Sequence, residues 1–248
     1  MSDDWDFYAL RVDDLPASIF CDLGIATQAP LADFPYMAYL RLHMRSPRAD
    51  GLSSQEEYPA LIAIEDKLTE AIVHTQTIYV GRNTSNSVRD FYFYRCSPDG
   101  WDQQAAAIMM NFSDYHYEIG IRLDAEWSSY RNFLYPTPTA MQRIQNRRVC
   151  DSLAKQGDPL KDGREISHWA YFPDAECRSR FLALTQKLGF ISQTTFESDK
   201  SSLRFGATIV RSELPSYANI DNVVLPVYEV TKECTGDYDG WETQVLKS

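Results

Sequence analysis

The sequence of 248 residues lacks the features that anchor a chain in a membrane or export it. No run of about 18 apolar residues occurs, so no segment is long enough to form a membrane-spanning helix. The first residues, Met1 to Asp6, include three aspartates and no basic side chain, whereas a secretory signal begins basic and continues apolar. We therefore expect a cytoplasmic protein without membrane contact.

Metal-binding and disulfide patterns are also missing. The cysteines are odd in number, scattered and never paired as CxxC, which predicts free thiols: Cys21, Cys96, Cys150, Cys177 and Cys234. The histidines show no HxH, HxxxH or His-Cys spacing: His43, His74, His116 and His168. The spacing therefore predicts no metal site.

Catalytic and nucleotide-binding motifs are absent as well. The sequence contains no GxSxG, no P-loop and no GxGxxG, so it predicts no catalytic residue and no cofactor. A catalytic pair that meets only in the folded chain would leave no such motif. An enzyme would then need a concave pocket with convergent polar groups and at least one shifted titratable residue.

The composition is that of a folded, acidic protein. Hydrophobic residues make up 44% and aromatic residues 13%, enough for a packed core. The formal net charge is −11, which disfavours direct contact with a nucleic-acid backbone. Residues 1–165 hold 24 acidic and 16 basic side chains, so most of the acidic excess lies there. The charge serves either solubility or complementarity to a basic partner.

Residues 1–126 are predicted to form an α+β domain, an α/β sandwich with a mainly antiparallel sheet. Alternating or aromatic-rich segments predict strands at 5–12, 17–23, 36–44, 76–82, 88–95 and 117–123. Helical spacing of apolar residues predicts helices over about 54–73 and from Pro98 onward. The run Phe91–Tyr94 indicates a strand buried on both faces, with base stacking as the alternative.

Residues 127–160 are predicted to be a helical linker, with a short helix over 127–134 and a longer one over 139–156. The longer helix carries a basic stretch formed by Arg143, Arg147, Arg148 and Lys155. Such a stretch is typical of a solvated helix face, here pairing with the acidic first domain. Contact with nucleic acid is the alternative.

Residues 161–248 are predicted to form a domain with the order β-α-β-β-α-β, the ferredoxin-like pattern. A strand over 168–172 begins at His168, which we interpret as a structural residue. A helix from Asp174 ends at Gly189, and a hairpin over 190–211 turns at 198–202. A second helix over 220–234 precedes a final strand near 242–246.

The segment Gly236–Glu242 combines glycines, carboxylates and two aromatic residues. The glycines and Asp237 and Asp239 predict a tight turn, and Trp241 is expected to pack the turn onto the core. An EF-hand needs about twelve residues, so these closely spaced carboxylates are a poor calcium loop. The same residues would also suit an exposed acidic interface, and both interpretations stay open.

The motif Gly236-Asp237-Tyr238-Asp239-Gly240-Trp241-Glu242 resembles the C-terminal signature of the family named regulator of ribonuclease E activity B. His168-Trp169-Ala170-Tyr171-Phe172, followed by a helix and Leu188-Gly189-Phe190, is similar to that family's opening segment. The resemblance implies a small ferredoxin-like domain that inhibits an endoribonuclease by protein binding, without catalytic residues or cofactor. The candidate interface is Asp237, Tyr238, Asp239, Trp241, Glu242, His168 and Trp169.

Residues 5–125 resemble the bacterial domain-of-unknown-function family 695. The matching segments are Asp50-Gly51-Leu52, Glu56-Glu57, Ile64-Glu65-Asp66, Tyr79-Val80-Gly81-Arg82 and Phe91-Tyr92-Phe93-Tyr94. This resemblance implies no established activity.

Three functions remain open from the sequence. The first is a non-catalytic regulator that binds a protein, such as a basic ribonuclease. The second is an immunity-type protein that neutralises a toxin or nuclease. The third is an enzyme whose site is assembled in space.

Overall fold

A computed structural model describes residues 2–74, 76–197 and 202–247. The chain divides into two compact units, Met1–Thr137 and Pro138–Ser248. Both units combine helices with an antiparallel sheet, which confirms the predicted two-domain α+β fold. Among the residues described, no helix is both long and apolar enough to cross a membrane.

The first unit contains a six-stranded sheet in the order β1-β2-β4-β5-β3-β6. Its strands are β1 (Trp5–Val12), β2 (Leu15–Asp22), β3 (Tyr36–His43), β4 (Thr77–Ser85), β5 (Val88–Arg95) and β6 (Tyr117–Leu123). Its helices are α1 (Tyr58–Ile72) and α2 (Trp101–Met109). Helix α1 begins four residues later than the apolar spacing predicts, because residues 55–57 form a turn.

Both faces of the first sheet are buried over its central strands. The side chains at positions 61, 64, 68 and 72 of α1 lie on one face of the helix and pack on strands β3 and β5. On the opposite face Trp127 stacks on Tyr94, with ring centroids 3.9 Å apart. The helical segment Ser129–Leu134 follows Trp127 and is π-helical. The aromatic run Phe91–Tyr94 is therefore buried between two layers.

The second unit contains a four-stranded sheet in the order β10-β7-β9-β8. Its strands are β7 (Arg164–Phe172), β8 (Ile191–Glu197), β9 (Phe205–Glu213) and β10 (Asp237–Thr243). Its helices are α3 (Pro138–Lys155), α4 (Ala175–Lys187) and α5 (Ile220–Glu233). Helix α3, which lies in the segment expected to be a linker, is part of this unit.

The order of elements from β7 to β10 gives the predicted ferredoxin-like arrangement. All three strand pairs are antiparallel, and the helices pack on one face of the sheet to form a single core. Asp174 caps α4 by accepting a hydrogen bond from the Cys177 amide at 2.7 Å. The predicted turn of the β8–β9 hairpin, 198–202, lies mostly outside the described residues.

Candidate functional site

Residues 237–242 of this segment lie in strand β10 (Asp237–Thr243), so the prediction of a tight turn there is wrong. The strand pairs antiparallel with β7 and ends at Thr243, and the final strand expected near 242–246 therefore begins five residues earlier. The register shifts between Tyr238 and Gly240, which marks a β-bulge at this point.

The bulge explains how the aromatic residues of this motif are placed. Tyr238 and Trp241 are three residues apart, so a regular strand would direct them to opposite faces. The extra residue at the bulge, with Gly240 at a φ of 125°, turns both side chains toward the core. The expectation that Trp241 packs on the core holds, but as part of a strand.

His168 lies inside strand β7 and not at its start, and only 1% of its surface is exposed. Its Nδ1 atom lies 2.7 Å from the Tyr238 hydroxyl oxygen. Burial, and next the charge of Arg211, lower the pKa of His168 to about 3. His168 is therefore uncharged at neutral pH, and its burial keeps it out of contact with a protein that binds the surface.

The core side chains of the candidate interface also connect the sheet to α3. The Trp241 indole Nε1 donates to Asn146 Oδ1 at 3.2 Å, and Asn146 Nδ2 donates to Asp221 at 2.8 Å. Of the seven predicted interface residues, three therefore face the core: His168, Tyr238 and Trp241. The remaining four are Asp237, Asp239, Glu242 and Trp169.

The strand register places three of those four on one surface. Asp237 pairs with Tyr171, Gly240 with Trp169, and Glu242 with Ser167, and paired residues project from the same face of a sheet. This face is opposite to the helices, and we call it the outer face of the second sheet. Asp239 lies at the bulge and borders a shallow groove beside Gln142 and Gln145 of α3.

Aromatic side chains cluster on the outer face. The ring of Phe196 lies 6.2 Å from that of Trp169 and 5.7 Å from that of Tyr171, measured between centroids. Gly206 lies beneath the cluster, where an added Cβ atom would come within 2.3 Å of the Phe196 ring. Ile191, at the start of the same edge strand as Phe196, is 70% exposed. The candidate interface did not include Tyr171, Phe196 or Ile191.

Carboxylates border this aromatic cluster. Glu165 lies two residues before Ser167 on β7 and therefore shares the outer face with Asp237 and Glu242. Among the described strand positions that point to this face, none is lysine or arginine. The outer face of the second sheet is thus aromatic at its centre and acidic at its side.

The first unit contains a cleft of about 630 Å³ beside helix α1. The cleft lies on the α1 face of the sheet, over strands β1, β2 and β4, where α1 leaves the sheet uncovered. Its lining comes from four strands, from α1 and from the loop before α1: Phe7, Ser18, Phe20, Arg48, Leu52, Ser53, Tyr58, Ile62, Glu65, Asp66, Thr69, Arg82, Thr84 and Arg89.

Five charged side chains line this cleft: Arg48, Glu65, Asp66, Arg82 and Arg89. Arg82 Nη1 lies 2.5 Å from Glu65 Oε1, which also accepts a hydrogen bond from the Tyr79 hydroxyl at 2.9 Å. Arg82 also lies over the Phe20 ring, 4.4 Å from its centroid. Arg89 is 2% exposed. Burial, and next the charge of Arg82, lower the pKa of Arg89 to about 10.

This concave pocket is what an enzyme or a small-molecule binder would need, and few of its contacts are predictable from patterns along the chain. Thr84 and Arg89 are register partners across the β4–β5 hairpin, so their proximity follows from the predicted strands. Glu65 comes from a helix, and no spacing along the chain relates it to Arg82 or Arg89. The arrangement contains arginines and hydroxyl groups, which bind anions.

One histidine cluster also forms only in the folded chain. Ligand atoms of His43, His116 and Glu118 lie within 4.8 Å of one another at the β3–β6 edge. His43 Nε2 is 2.8 Å from Glu118 Oε1, and the side chains are largely exposed. Strand pairing creates this group, which the sequence spacing of the histidines did not predict.

The fold and these two surfaces define a two-unit antiparallel α+β protein with a cleft that contains arginines and a sheet face that carries carboxylates. The chain belongs to the family of unknown function (DUF695), which matches residues 3–135. Residues 143–243 match a second family, described as regulator of ribonuclease activity B. Both predicted resemblances are thereby confirmed.

Two further comparisons add little. No curated protein matches the chain. A crystal structure of an unknown protein from Galdieria sulphuraria is similar at 11% sequence identity, covering 84% of this chain and 98% of that one, with a TM-score of 0.23. A TM-score of this size supports no conclusion about fold or function.

Proposed function

We propose that this protein is a non-catalytic regulator that inhibits a ribonuclease by direct protein contact. The region that matches the family of ribonuclease regulators, 143–243, contains the whole second sheet. The observation that carries the proposal is the outer face of this sheet, where exposed and half-buried apolar side chains lie beside carboxylates. Interface centres are enriched in aromatic residues, and hydrophobic patches of this kind mark binding surfaces.

The chemistry of this face fits a basic partner. Glu165, Asp237 and Glu242 supply negative charge, and Trp169 supplies a large flat contact area. Opposite charge on the partner would speed association and fix its orientation, whereas the aromatic side chains would supply most of the affinity. Enzymes that bind RNA carry basic surfaces, so a ribonuclease is a suitable partner.

The test is an RNA-cleavage assay with a purified endoribonuclease of the ribonuclease E type and increasing amounts of this protein. We expect cleavage to slow as the protein is added, and we expect higher ionic strength to weaken the inhibition. The double variant Asp237→Asn, Glu242→Gln should need about tenfold more protein for the same inhibition.

A matched control removes two charges elsewhere. Asp13→Asn with Asp14→Asn changes two carboxylates in the β1–β2 turn of the first unit, and asparagine tolerates the positive φ values found there. This variant should inhibit like the unchanged protein. Absence of inhibition at a large molar excess would refute the proposed function, and equal inhibition by both double variants would refute the proposed surface.

A further inference from the structure

Two buried arginines on strand β5 are held in different ways. All three guanidinium nitrogens of Arg95 donate hydrogen bonds: Nε to Ser97 O at 3.2 Å, Nη1 to Thr77 Oγ1 at 3.1 Å and Gln104 Oε1 at 3.0 Å, and Nη2 to Asp99 O at 2.9 Å. These bonds explain Arg95 as a structural residue that ties the end of β5 to the start of α2.

Arg89 has fewer partners although it is more deeply buried. Its Nε donates to Thr84 Oγ1 at 3.0 Å, and its Nη2 contacts Ser53 Oγ at the long distance of 3.4 Å. Within the described part of the chain, its Nη1 is buried without a hydrogen-bond partner. A buried donor of this kind costs free energy unless another group accepts its hydrogen bond.

The charge of Arg89 is also uncompensated by a direct ion pair. The nearby carboxylate, Glu65, pairs with Arg82, and no carboxylate of the described residues forms an ion pair with Arg89. A water molecule could satisfy the hydrogen bond but would not neutralise the charge. Burying a guanidinium without a directly paired counter-charge is costly, so the arrangement favours an anion from outside the chain.

We propose that this cleft binds a small organic anion whose carboxylate or phosphate oxygen accepts a hydrogen bond from Arg89. Glu65 Oε2 is likewise buried without a partner among the described residues and would accept a bond from a hydroxyl or amino group of the same ligand. The apolar walls, which include Phe7, Phe20 and Tyr58, would contact its carbon body.

The size and surroundings of the cleft agree with this ligand class. Its volume of about 630 Å³ lies within the range of small-molecule sites, which is about 300–1,000 Å³. Residues 1–137 hold 20 acidic and 10 basic side chains, so the half-buried Arg82 and the buried Arg89 place positive charge within an otherwise acidic unit. An anion that enters the cleft exchanges solvent for fixed donors in a desolvated site.

Calorimetric titration of the full chain with three probes of similar ring size tests the proposal: phenyl phosphate, benzoate and neutral benzamide. We expect one or both anions to bind, and we expect benzamide not to bind. Binding of phenyl phosphate alone would assign a phosphate ester, and binding of benzoate alone would assign a carboxylate. If neither anion binds at millimolar concentration, or if benzamide binds as tightly as the anions, the proposal is overturned.

The variant Arg89→Gln should weaken anion binding by about tenfold or more, because it removes a charged donor. Arg95→Gln is the matched control, since it removes a buried arginine of the same strand that does not line the cleft. Equal weakening by the two variants, in proteins that remain folded, would count against Arg89 as the anion-binding group.

Two measurements keep the test decisive if Arg89→Gln does not fold. Tyr58→Ala changes a 47% exposed side chain at the cleft and should weaken binding without unfolding the protein. In the unchanged protein, addition of the bound anion should shift the arginine Nε–Hε NMR signal of Arg89 and leave that of Arg95 in place. Unchanged affinity of Tyr58→Ala together with an unmoved Arg89 signal would refute the site, and neither result depends on ribonuclease inhibition.

Discussion

The two sheets of this protein each leave part of one face uncovered by helices, and they use that exposed part differently. In the first unit the uncovered part is recessed beside α1, and Arg89 within it is 2% exposed. In the second unit the helices pack on the opposite face, and Ile191 on the outer face is 70% exposed. The first surface has arginine side chains in its recess, and the second has carboxylates along one side.

Depth decides what each surface can bind. Charges in a recess are desolvated, so each contact with a small ligand is strong and an unpaired charge is costly. Carboxylates on an open face remain hydrated, so each contributes little affinity, and binding needs the area of a macromolecule. The same type of sheet therefore suits a small anion in one unit and a protein partner in the other.

The largest expected loss of stability comes from a substitution on the core face of the second sheet. Trp241→Ala removes a 7% exposed side chain from the core together with its hydrogen bond to Asn146. We expect the free energy of unfolding to fall by about 3–5 kcal/mol, as for other buried tryptophans. Urea unfolding measures the loss, and hydrogen exchange should locate it in β7, β10 and α3.

This outcome would change how substitutions at the motif are interpreted. Lost partner binding in Trp241→Ala would reflect a damaged fold and not a missing contact. A loss below about 1 kcal/mol would show that Trp241 is not packed as described, and it would return this side chain to the candidate interface.

Much of the architecture follows from local patterns in the sequence. Apolar residues three and four apart predict α1, and alternation predicts the strands, because each period directs one set of side chains to the core. The β-α-β-β-α-β order was predictable for the same reason. Helix α1 begins later than predicted because residues 55–57 form a turn that apolar spacing does not reveal.

The surfaces were less predictable than the elements. The bulge at Gly240 places Tyr238 and Trp241 on one face, and their spacing of three residues cannot be recognised as a strand pattern without it. Phe196 meets Trp169 through the pairing of β7 and β8 with β9, which depends on register across three strands. Glu65 meets Arg82 by packing of a helix on a sheet, which no sequence spacing encodes.

A smaller expected effect is a pH dependence of stability that arises from His168 and is confined to the second unit. Because the pKa of His168 is lowered to about 3, the unfolded chain takes up a proton near its ordinary pKa of about 6.5 while the folded chain does not. Titration of His168 should therefore not affect stability above about pH 6.5. Below it, stability should fall by at most about 1.4 kcal/mol per pH unit.

Hydrogen exchange of β7 and β10 between pH 6.5 and pH 5 measures this slope, after correction for the intrinsic exchange rate. His168→Gln should flatten it, because glutamine keeps a polar partner for Tyr238 but does not titrate. His116→Gln, an exposed histidine of the first unit, should leave the slope unchanged. A slope that persists in His168→Gln would mean that another group takes up the proton.

The smallest expected effect on stability comes from Trp169→Ala, and it sharpens the contrast with Trp241. Trp169 lies on the outer face, paired with Gly240, and is only half-buried. Its removal leaves no enclosed cavity, so we expect a change in unfolding free energy of about 1 kcal/mol or less. Inhibition of the ribonuclease should nevertheless weaken markedly, because aromatic side chains dominate the energetics of interfaces. A large loss of stability with unchanged inhibition would reverse the assignment of the two faces, since Trp169 would then support the fold and the partner would bind elsewhere.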